Sequence, residues 1–482
     1  MADTRKALLH LEGVKMHFPL KRTKFFQKEK PVVKAVDGVS IDIYEGETFG
    51  LVGESGCGKS TLGRLMLQLY DSTAGSIRYR GVSLEDYAPQ YAIRDAAKIS
   101  SVTGTPEEII KNFPEQASLC GPLLLYDDLS ELSRAVKDNL MAIREVNRIS
   151  TLLQLDELKK GAYLESGELS GADRSRLEKV EQRIQTRGAS MKEAQKTLDE
   201  TKKVMNGMLM KCAGKPGYQL LEKCQDVSID LSRLNKEEMR QQRRYLQIIF
   251  QDPYSSLNLR FTVGQIISEA LVAHNMYRRG SKQLEAYTLD IMDKCGLANY
   301  FLHRFPHQFS GGQRQRIGIA RALASQPRFV VCDEAVSALD VSIQSQIINL
   351  LMDLKEQSSL TYLFISHDLS TVKFISDRVA VMYLGNIVEL SDSDRIFSEP
   401  FHPYTNSLLE AIPTTDEASN KELQILEGDI PSPINPPPGC KFHTRCRYAA
   451  DVCKTDPPEW RELRQGHWVA CHFPVESGQR EL

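Results

Sequence analysis

One short segment near the N-terminus constrains the fold more than any other part of the chain. Residues 53–61 read Gly-Glu-Ser-Gly-Cys-Gly-Lys-Ser-Thr, which is the pattern G-x-x-x-x-G-K-[ST]. An apolar run at 48–52 precedes this segment and a helical pattern at 62–69 follows it. A strand, a glycine-rich loop and a helix in this order place backbone N–H groups and the positive end of a helix around phosphate oxygens. The sequence therefore predicts a phosphate-binding loop within an α/β domain.

The loop residues have different predicted roles. We expect Lys59 to place its charge at the outer phosphates of a nucleotide, and we expect the Ser60 hydroxyl to bind Mg²⁺. The other loop residues are expected to surround the nucleotide, mainly through their backbone, and Cys57 fits this role by its small size. These residues are Gly53, Glu54, Ser55, Gly56, Cys57, Gly58 and Thr61.

Two acidic residues end an apolar run much later in the chain. Residues 328–334 read Arg-Phe-Val-Val-Cys-Asp-Glu, so Asp333 and Glu334 come directly after a predicted buried strand. We expect Asp333 to hold the Mg²⁺ and Glu334 to polarise a water for attack on the terminal phosphate. An ordinary strand end would have the same pattern, so these two acids alone leave the function open.

Three further features point to nucleotide hydrolysis. Gln251 and His367 each come at the end of an apolar run, at 248–250 and 363–366. A serine and two glycines open a helical run at 310–324, where backbone N–H groups can form a second phosphate-binding surface. A single Gln or His at a strand end is more often structural, but these features occur together and in this order.

Together these motifs resemble those of the ATP-binding-cassette (ABC) family. The resemblance covers residues 8–84 and 231–400, with every motif in the family order. The matching residues are Gly53–Thr61 for the Walker A motif, Gln251 for the Q-loop, Ser310, Gly311, Gly312 and Gln313 for the signature, Asp333 and Glu334 for the Walker B pair, Ser337–Asp340 for the D-loop and His367 for the switch histidine.

The resemblance implies an enzyme that hydrolyses ATP with Mg²⁺. It implies that Lys59, Gln251, Glu334 and His367 act in catalysis and that Gln251 also lies at the Mg²⁺, beside Ser60 and Asp333. It further implies a head-to-tail pair of ATPase subunits, in which each ATP lies between one Walker A motif and the opposing signature. An aromatic residue in the first strands would stack on adenine, and Phe18 is the candidate.

Other segments narrow the resemblance. Residues 250–258, 304–310, 402–409 and 430–472 are similar to the ATPase subunits of dipeptide/oligopeptide importers. This similarity implies that the chain powers peptide uptake together with two transmembrane permease subunits and an extracellular or periplasmic peptide-binding protein. It also implies a peripheral location at the cytoplasmic face of the cell membrane.

Charge and hydropathy agree with a cytosolic chain that binds no nucleic acid. Lys+Arg is 61 and Asp+Glu is 63, giving a formal net charge of −2, without the basic field that grips nucleic acid. No apolar run approaches the ~20 residues of a membrane helix, and the first residues lack the apolar core of a signal peptide. The alternative from another class is a DNA-maintenance ABC ATPase with inserted helices, although its coiled coil would follow the Q-loop rather than precede Gln251.

Changes in sequence texture predict four segments. Residues 1–85 and 231–400 form the two parts of the ATPase cassette, residues 86–230 form a helical insertion, and residues 401–482 form a C-terminal extension with a proline-rich linker at 412–438. Apolar residues at spacings of three and four predict two helices that form a hairpin within the insertion, with Arg187 interrupting the second apolar seam. Whether this hairpin is a docking arm or a passive insertion stays open. The predicted fold is thus an α/β ABC-type P-loop ATPase with a helical hairpin insertion and a small cysteine-rich tail.

Four of the ten cysteines are Cys440, Cys446, Cys453 and Cys471, close to the C-terminus. In a cytosolic chain such clustering favours metal binding over disulfides. The spacing C-x5-C-x6-C-x17-C lacks the C-x2-C pairs of a zinc ribbon. The resemblance to importer ATPases implies a [4Fe–4S] cluster, while zinc and ordinary free thiols stay open as alternatives.

Overall fold

Short apolar runs of the sequence form the strands of the protein. The computed structural model describes residues 5–20, 31–165, 170–411 and 428–475, so part of the predicted linker, residues 412–427, lies outside the described residues. The strands in the described part are β1 (Ala7–Pro19), β2 (Val32–Tyr44), β3 (Thr48–Val52), β4 (Ala74–Ser83), β5 (Ser228–Asp230), β6 (Leu246–Ile249), β7 (Phe329–Asp333), β8 (Thr361–Ile365), β9 (Arg378–Tyr383), β10 (Asn386–Asp392), β11 (Trp460–Arg464) and β12 (His467–Ala470).

The helices differ widely in length, from single turns to two very long helices. In the described part of the chain they are α1 (Lys59–Met66), α2 (Gln90–Ala96), α3 (Pro106–Asn112), α4 (Pro114–Cys120), α5 (Leu129–Glu165), α6 (Gly171–Cys212), α7 (Tyr218–Cys224), α8 (Lys236–Gln242), α9 (Val263–Ala273), α10 (Lys282–Lys294), α11 (Gly311–Ala324), α12 (Val341–Ser358), α13 (Leu369–Ile375), α14 (Ser393–Ser398), α15 (Pro403–Glu410) and α16 (Asp451–Thr455).

The chain divides into two units. The first comprises Met1–Ile77, Gln242–Ala270 and Thr288–Leu482, and the second comprises Arg78–Gln241 and Leu271–Tyr287. The second unit thus includes the segment Leu271–Tyr287, which lies within the predicted C-terminal part of the cassette, residues 231–400.

The first unit is built on a mixed sheet with the strand order β11-β12-β10-β9-β3-β8-β7-β6. The strands from β9 to β6 are parallel, and every residue of β3, β7, β8 and β9 is buried. Parallel strands are covered on both faces, which explains why these runs are continuously apolar in the sequence rather than alternating. Their carboxyl ends share one edge, and the loops that leave this edge carry the candidate site.

Residues 460–470, within the predicted cysteine-rich tail, are part of this sheet. β12 pairs antiparallel with β10, and β11 pairs antiparallel with β12. Buried Glu389 accepts hydrogen bonds from the backbone N–H groups of Phe401 at 2.6 Å and His402 at 3.0 Å, and its Oε1 lies 2.7 Å from His467 Nε2. The C-terminal strands are therefore fixed to the cassette by both backbone pairing and buried polar contacts.

The second unit is dominated by α5 and α6, which are 37 and 42 residues long and pack against each other. Leu132 and Ile143 of α5 and Val180 and Leu198 of α6 are buried at the predicted apolar spacing. Arg187, which interrupts the apolar seam, donates to the carboxylate of buried Asp156 on the other helix. A polar cross-helix contact thus occupies the position where the apolar pattern fails.

Candidate active site

The phosphate-binding loop leaves the carboxyl end of β3 and enters α1 at Lys59. Two of its glycines have no space for a side chain. Gly53 has φ +147° and a Cβ there would lie 2.2 Å from the Met382 carbonyl oxygen, while Gly58 has φ +109° and its Cβ would lie 2.1 Å from the Ala35 carbonyl oxygen. Since only glycine fits both the conformation and the space, these two positions fix the path of the loop.

Lys59 closes the loop from within. Its Nζ donates to the carbonyl oxygens of Gly53 at 2.8 Å and Glu54 at 3.0 Å, and the residue is only 5% exposed. Cys57 is buried in the same loop with its Sγ 3.9 Å from Nζ, and burial raises the pKa of its thiol. The structure thus places a buried ammonium group among the loop atoms that the sequence assigned to phosphate binding.

Ser60 and Asp333 meet although 273 positions separate them in the chain. The Ser60 hydroxyl donates to Asp333 Oδ1 at 2.5 Å, and Arg64 Nη2 lies 3.4 Å from the other carboxylate oxygen. Only 4% of the Asp333 side chain is exposed. A hydroxyl and a carboxylate are oxygen ligands of the kind that Mg²⁺ prefers, so the pair fits the predicted metal role.

Glu334 is the centre of a second contact group. Gln251 Nε2 donates to Glu334 Oε2 at 2.7 Å, and His367 Nδ1 lies 3.4 Å from the same oxygen. Glu334 has φ +49°, and its N–H donates to the Ile365 carbonyl at 3.0 Å. A non-glycine residue in this conformation is uncommon and costs free energy, and such residues cluster at functional sites. The residues that follow β6, β7 and β8 thus converge on one carboxylate.

The segment 310–313 makes mainly local contacts. Ser310 caps α11, since its hydroxyl accepts from the Gln313 N–H at 3.4 Å and its own N–H donates to Gln313 Oε1 at 3.2 Å. A Cβ on Gly312 would lie 2.5 Å from Ile343. Within the described parts of the chain, no hydrogen bond joins this segment to residues 53–61.

The chain matches a known protein family over more than half of its length. Residues 36–187 and 218–337 match the family described as ABC transporter. The chain belongs to the ABC transporter family. Residues 388–453 of this ABC protein also match the oligopeptide/dipeptide transporter C-terminal region. The predicted family, the α/β ABC-type fold and the assignment as an ATPase are confirmed.

Two similar proteins match nearly the whole ABC chain, and a solved structure matches most of it. The oligopeptide transport ATP-binding protein AppF of Bacillus subtilis is 35% identical and the match covers 98% of this chain and 99% of AppF. The putative oligopeptide transport ATP-binding protein YkfD of the same organism is also 35% identical, with 99% and 98% covered. The dimeric post-hydrolysis structure of the ATP-binding cassette MJ0796 with ADP and Pi aligns with a TM-score of 0.43 at 17% identity, covering 80% of this chain and 98% of that one.

Phe18 lies on β1 and packs edge to face against Tyr70, with the ring centroids 5.6 Å apart. The Tyr70 hydroxyl accepts from Arg64 Nη1 at 3.3 Å, and Arg64 in turn contacts Asp333. The aromatic pair is therefore connected by direct contacts to the Ser60–Asp333 pair of the cassette. Stacking of Phe18 on adenine stays a prediction.

Two residues that contact the Walker A loop were absent from the predicted site. Arg445 donates to the Glu54 carboxylate at 2.7 and 3.0 Å, and the Glu54 N–H donates to the Tyr404 hydroxyl oxygen at 2.9 Å. Both belong to segments that resemble importer ATPases, at 402–409 and 430–472, but no local pattern indicates that they reach residue 54.

The four C-terminal cysteines line one small cavity in the first unit of the ABC chain, together with His443 and His472. Each histidine has a ring nitrogen at a backbone carbonyl oxygen, at 2.8 Å for His443 and 3.0 Å for His472. Burial raises the pKa of the Cys446 thiol to about 11 and that of Cys471 to about 12. Among the residues that the structure describes, no group of three or more His, Cys, Asp or Glu side chains is positioned to hold a metal ion. In the same residues, no helix is long and apolar enough to cross a membrane.

Proposed function

We propose that the chain is the ATP-binding and hydrolysing subunit that powers peptide uptake through a membrane ABC importer. The observation that carries this proposal is the presence, in one chain, of an intact ABC site and a C-terminal region that matches oligopeptide/dipeptide transporters. The names of two full-length relatives, both oligopeptide transport ATP-binding proteins, support it further. The same matches favour transport over the DNA-maintenance alternative.

ATP binding would depend on the loop and the helix that follows it. Backbone N–H groups of residues 53–61 and the Lys59 ammonium bind the phosphates. The contact between Ser60 and Asp333 supports a shared role in holding Mg²⁺, with Gln251 at the metal as the family resemblance implies. The ion, when bound, neutralises phosphate charge. Phe18 would contact the adenine.

Hydrolysis would depend on Glu334. Its carboxylate accepts the proton of the attacking water, and proton transfer by a positioned side chain accelerates such reactions typically 10²–10⁴-fold, about 3–5 kcal/mol of the barrier. Gln251 and His367 contact this carboxylate and keep it oriented towards the water. An in-line attack needs little covalent chemistry from the protein, so positioning and charge stabilisation supply most of the catalysis.

A second ATPase subunit would complete the site. Ser310 and Gln313 cap a helix whose N-terminus can bind phosphate, yet this segment has no hydrogen bond to the Walker A loop of its own chain within the described residues. A head-to-tail dimer brings the signature of each subunit to the ATP of the other. Two transmembrane permease subunits and an extracellular or periplasmic peptide-binding protein complete the importer, and the chain binds peripherally at the cytoplasmic face of the membrane without binding nucleic acid.

We also propose the four predicted segments as the domain organisation. In this assignment residues 86–230 are an insertion between the two cassette parts, 1–85 and 231–400, and residues 401–482 are the C-terminal extension. The long helices α5 and α6 support the proposal, because all the predicted nucleotide motifs lie outside them.

The cysteine-rich tail is proposed to bind a [4Fe–4S] cluster, with zinc as the alternative. The observation that supports this proposal is that the four thiols line one cavity, although within the described residues no three of them are placed as the ligands of a metal ion. Thiolates also suit zinc, so the ligand type alone does not choose between the two. Protein purified without oxygen should be brown, absorb broadly near ~400 nm and contain about four iron atoms per chain.

Cys446→Ser should remove the iron and the colour, whereas Cys224→Ser, which alters a cysteine outside the cavity, should not. A colourless preparation with one zinc per chain would show that the site binds zinc and not a cluster. A preparation without any metal would show that these four residues are ordinary thiols.

The proposed activity is tested with the chain purified in its membrane complex. Glu334→Gln should leave ATP binding near the wild-type level and lower turnover roughly 10²-fold or more, since it removes the proton acceptor. Glu356→Gln makes the same chemical change at an exposed position of α12 and serves as the control. Wild-type turnover in Glu334→Gln would refute the assignment of the base, and absence of permease subunits together with salt-dependent DNA binding would favour the alternative.

A further inference from the structure

The C-terminal tail makes a buried, two-point contact with the phosphate-binding loop. Arg445 donates from Nη1 and Nη2 to the two carboxylate oxygens of Glu54, at 2.7 and 3.0 Å. Only 4% of the Arg445 side chain and 21% of the Glu54 side chain are exposed. This contact raises the pKa of Arg445, so its guanidinium group is charged at neutral pH. Parallel two-point pairing of this kind fixes geometry as well as charge.

Residue 54 is held from three sides. Its carboxylate contacts Arg445, and its N–H donates to the Tyr404 hydroxyl oxygen at 2.9 Å. Its carbonyl oxygen accepts from Lys59 Nζ at 3.0 Å and from the Cys57 N–H at 3.3 Å. The position of residue 54 therefore determines where the Lys59 ammonium lies and how the loop turns.

Arg445 is itself fixed by its surroundings. Phe442 is 2% exposed and packs against the rings of Tyr383 and Tyr404, with centroids 5.3 Å away in both cases. Lys441 donates to the Leu384 carbonyl oxygen and to Asp37 Oδ2, both at 3.0 Å. The tail segment that carries Arg445 is thus anchored to β9 and β2 independently of its contact with the loop.

We propose that Arg445 is a positioning residue for the phosphate-binding loop, with Tyr404 assisting it. ATP affinity therefore depends on the tail segment that carries Arg445 being folded against the cassette. This inference rests on the proposed ATP-binding function. Arg445 keeps the Glu54 carboxylate turned towards the tail and neutralises a negative charge that would otherwise repel the phosphates of ATP. Through its contact with residue 54, Arg445 also fixes the loop conformation in which Lys59 and the loop N–H groups bind the phosphates.

The proposal is tested by the equilibrium binding of a fluorescent ATP analogue to the purified full-length chain and by the KM and kcat of its ATPase reaction. Arg445→Gln should weaken binding and raise KM by about tenfold, which corresponds to about 1.4 kcal/mol and is on the scale of one lost hydrogen bond to a charged group. The value of kcat at saturating ATP should stay within a few-fold of wild type, since the residues around Glu334 are unchanged. Arg447→Gln makes the same substitution two positions away at an exposed ion pair with Glu410, and it should bind ATP as the wild type does.

Two further variants guard against a general loss of folding. Tyr404→Phe keeps the buried ring and removes only the oxygen that accepts from Glu54, so it should weaken binding in the same direction. Glu54→Gln and Arg445→Gln should be non-additive in a double-mutant cycle, because each removes the same contact. Wild-type affinity in Arg445→Gln, or additive effects in the cycle, would overturn the proposal. Failure of the wild-type chain to bind ATP would instead overturn the proposed function.

Discussion

The polar contact inside the α5–α6 hairpin leads to a quantitative prediction about how independent the second unit is. Asp156 is 1% exposed and accepts a hydrogen bond from Arg187, which also donates to the Leu152 carbonyl oxygen at 2.8 Å. Arg183 Nε lies 3.5 Å from the other carboxylate oxygen. Removing the carboxylate charge in Asp156→Asn leaves these two guanidinium groups, and the Lys159 ammonium 4.0 Å from Oδ1, without their shared counter-charge.

The size of the effect follows from exposure. Breaking a buried ion pair by removal of one partner costs about 3–5 kcal/mol. The side chains of Arg187, Arg183 and Lys159 are 28%, 46% and 60% exposed, so water can solvate the charges that remain. We therefore expect a loss of about 2–3 kcal/mol in the local stability of the hairpin, which corresponds to roughly 30–150-fold faster amide exchange in α5 and α6 at 1.36 kcal/mol per tenfold step.

Hydrogen exchange measured by mass spectrometry on the full chain is the appropriate assay, with ATP binding measured in parallel. Glu145→Gln is the matched control, because Glu145 pairs with Arg148 on the surface of α5 and exposed pairs contribute only about 0–1 kcal/mol. Exchange in residues 48–66 and ATP affinity should be unchanged in both variants. Wild-type exchange rates of α5 and α6 in Asp156→Asn would refute the reasoning about the buried pair, and a loss of ATP binding would refute the independence of the nucleotide site.

Two other predictions concern the first unit. Gly58→Ala should abolish measurable ATP binding, since its Cβ would lie 2.1 Å from the Ala35 carbonyl oxygen. Gly56→Ala is the control: this glycine has φ +79° and no heavy atom of the described residues lies within 4 Å of its Cβ position, so the substitution should cost only about 1–2 kcal/mol of backbone strain. Equal affinities of the two variants in a titration with ATP would contradict this prediction. Burial lowers the pKa of His402 from 6.5 to about 4, so the unfolded chain binds the extra proton and the free energy of unfolding falls as the pH drops through this range, by up to about 3 kcal/mol. His402→Asn keeps an acceptor for the Tyr404 N–H. In denaturant unfolding between pH 7 and pH 4, the free energy of unfolding of this variant should fall less with acid than that of the wild type. The same pH dependence in both proteins would contradict the prediction that buried His402 is neutral in the folded chain.

The parts of the site that could be predicted from the sequence are those whose positions depend on neighbouring residues in the chain or on the ends of adjacent strands. Gly53 and Gly58 lie beside the strand and helix that define the loop, and Asp333 ends a continuously apolar run. Because the parallel strands β6, β7 and β8 end at one edge of the sheet, the contacts of Glu334 with Gln251 and His367 follow from the topology.

The contacts that the sequence could not predict join residues through packing alone. Arg187 was visible as a break in an apolar seam, but its partner Asp156 lies 31 positions earlier on the other helix. Arg445 and Glu54 are 391 positions apart, and no sequence pattern around either residue indicates that they are in contact. Similarly, residues 460–470 contain no long apolar run, and their place at the edge of the main sheet depends on the surface that β10 offers them.

The C-terminal strands also decide how the main sheet ends. A sheet edge with free backbone N–H and C=O groups is a template on which other chains can add strands. The β10 edge is covered by β12, and β12 is covered by β11, in which Arg461, Glu462 and Arg464 are exposed and charged. The outermost strand of this side therefore exposes three charged side chains beside its free backbone groups, and charged residues on an edge strand disfavour strand addition by a neighbouring molecule.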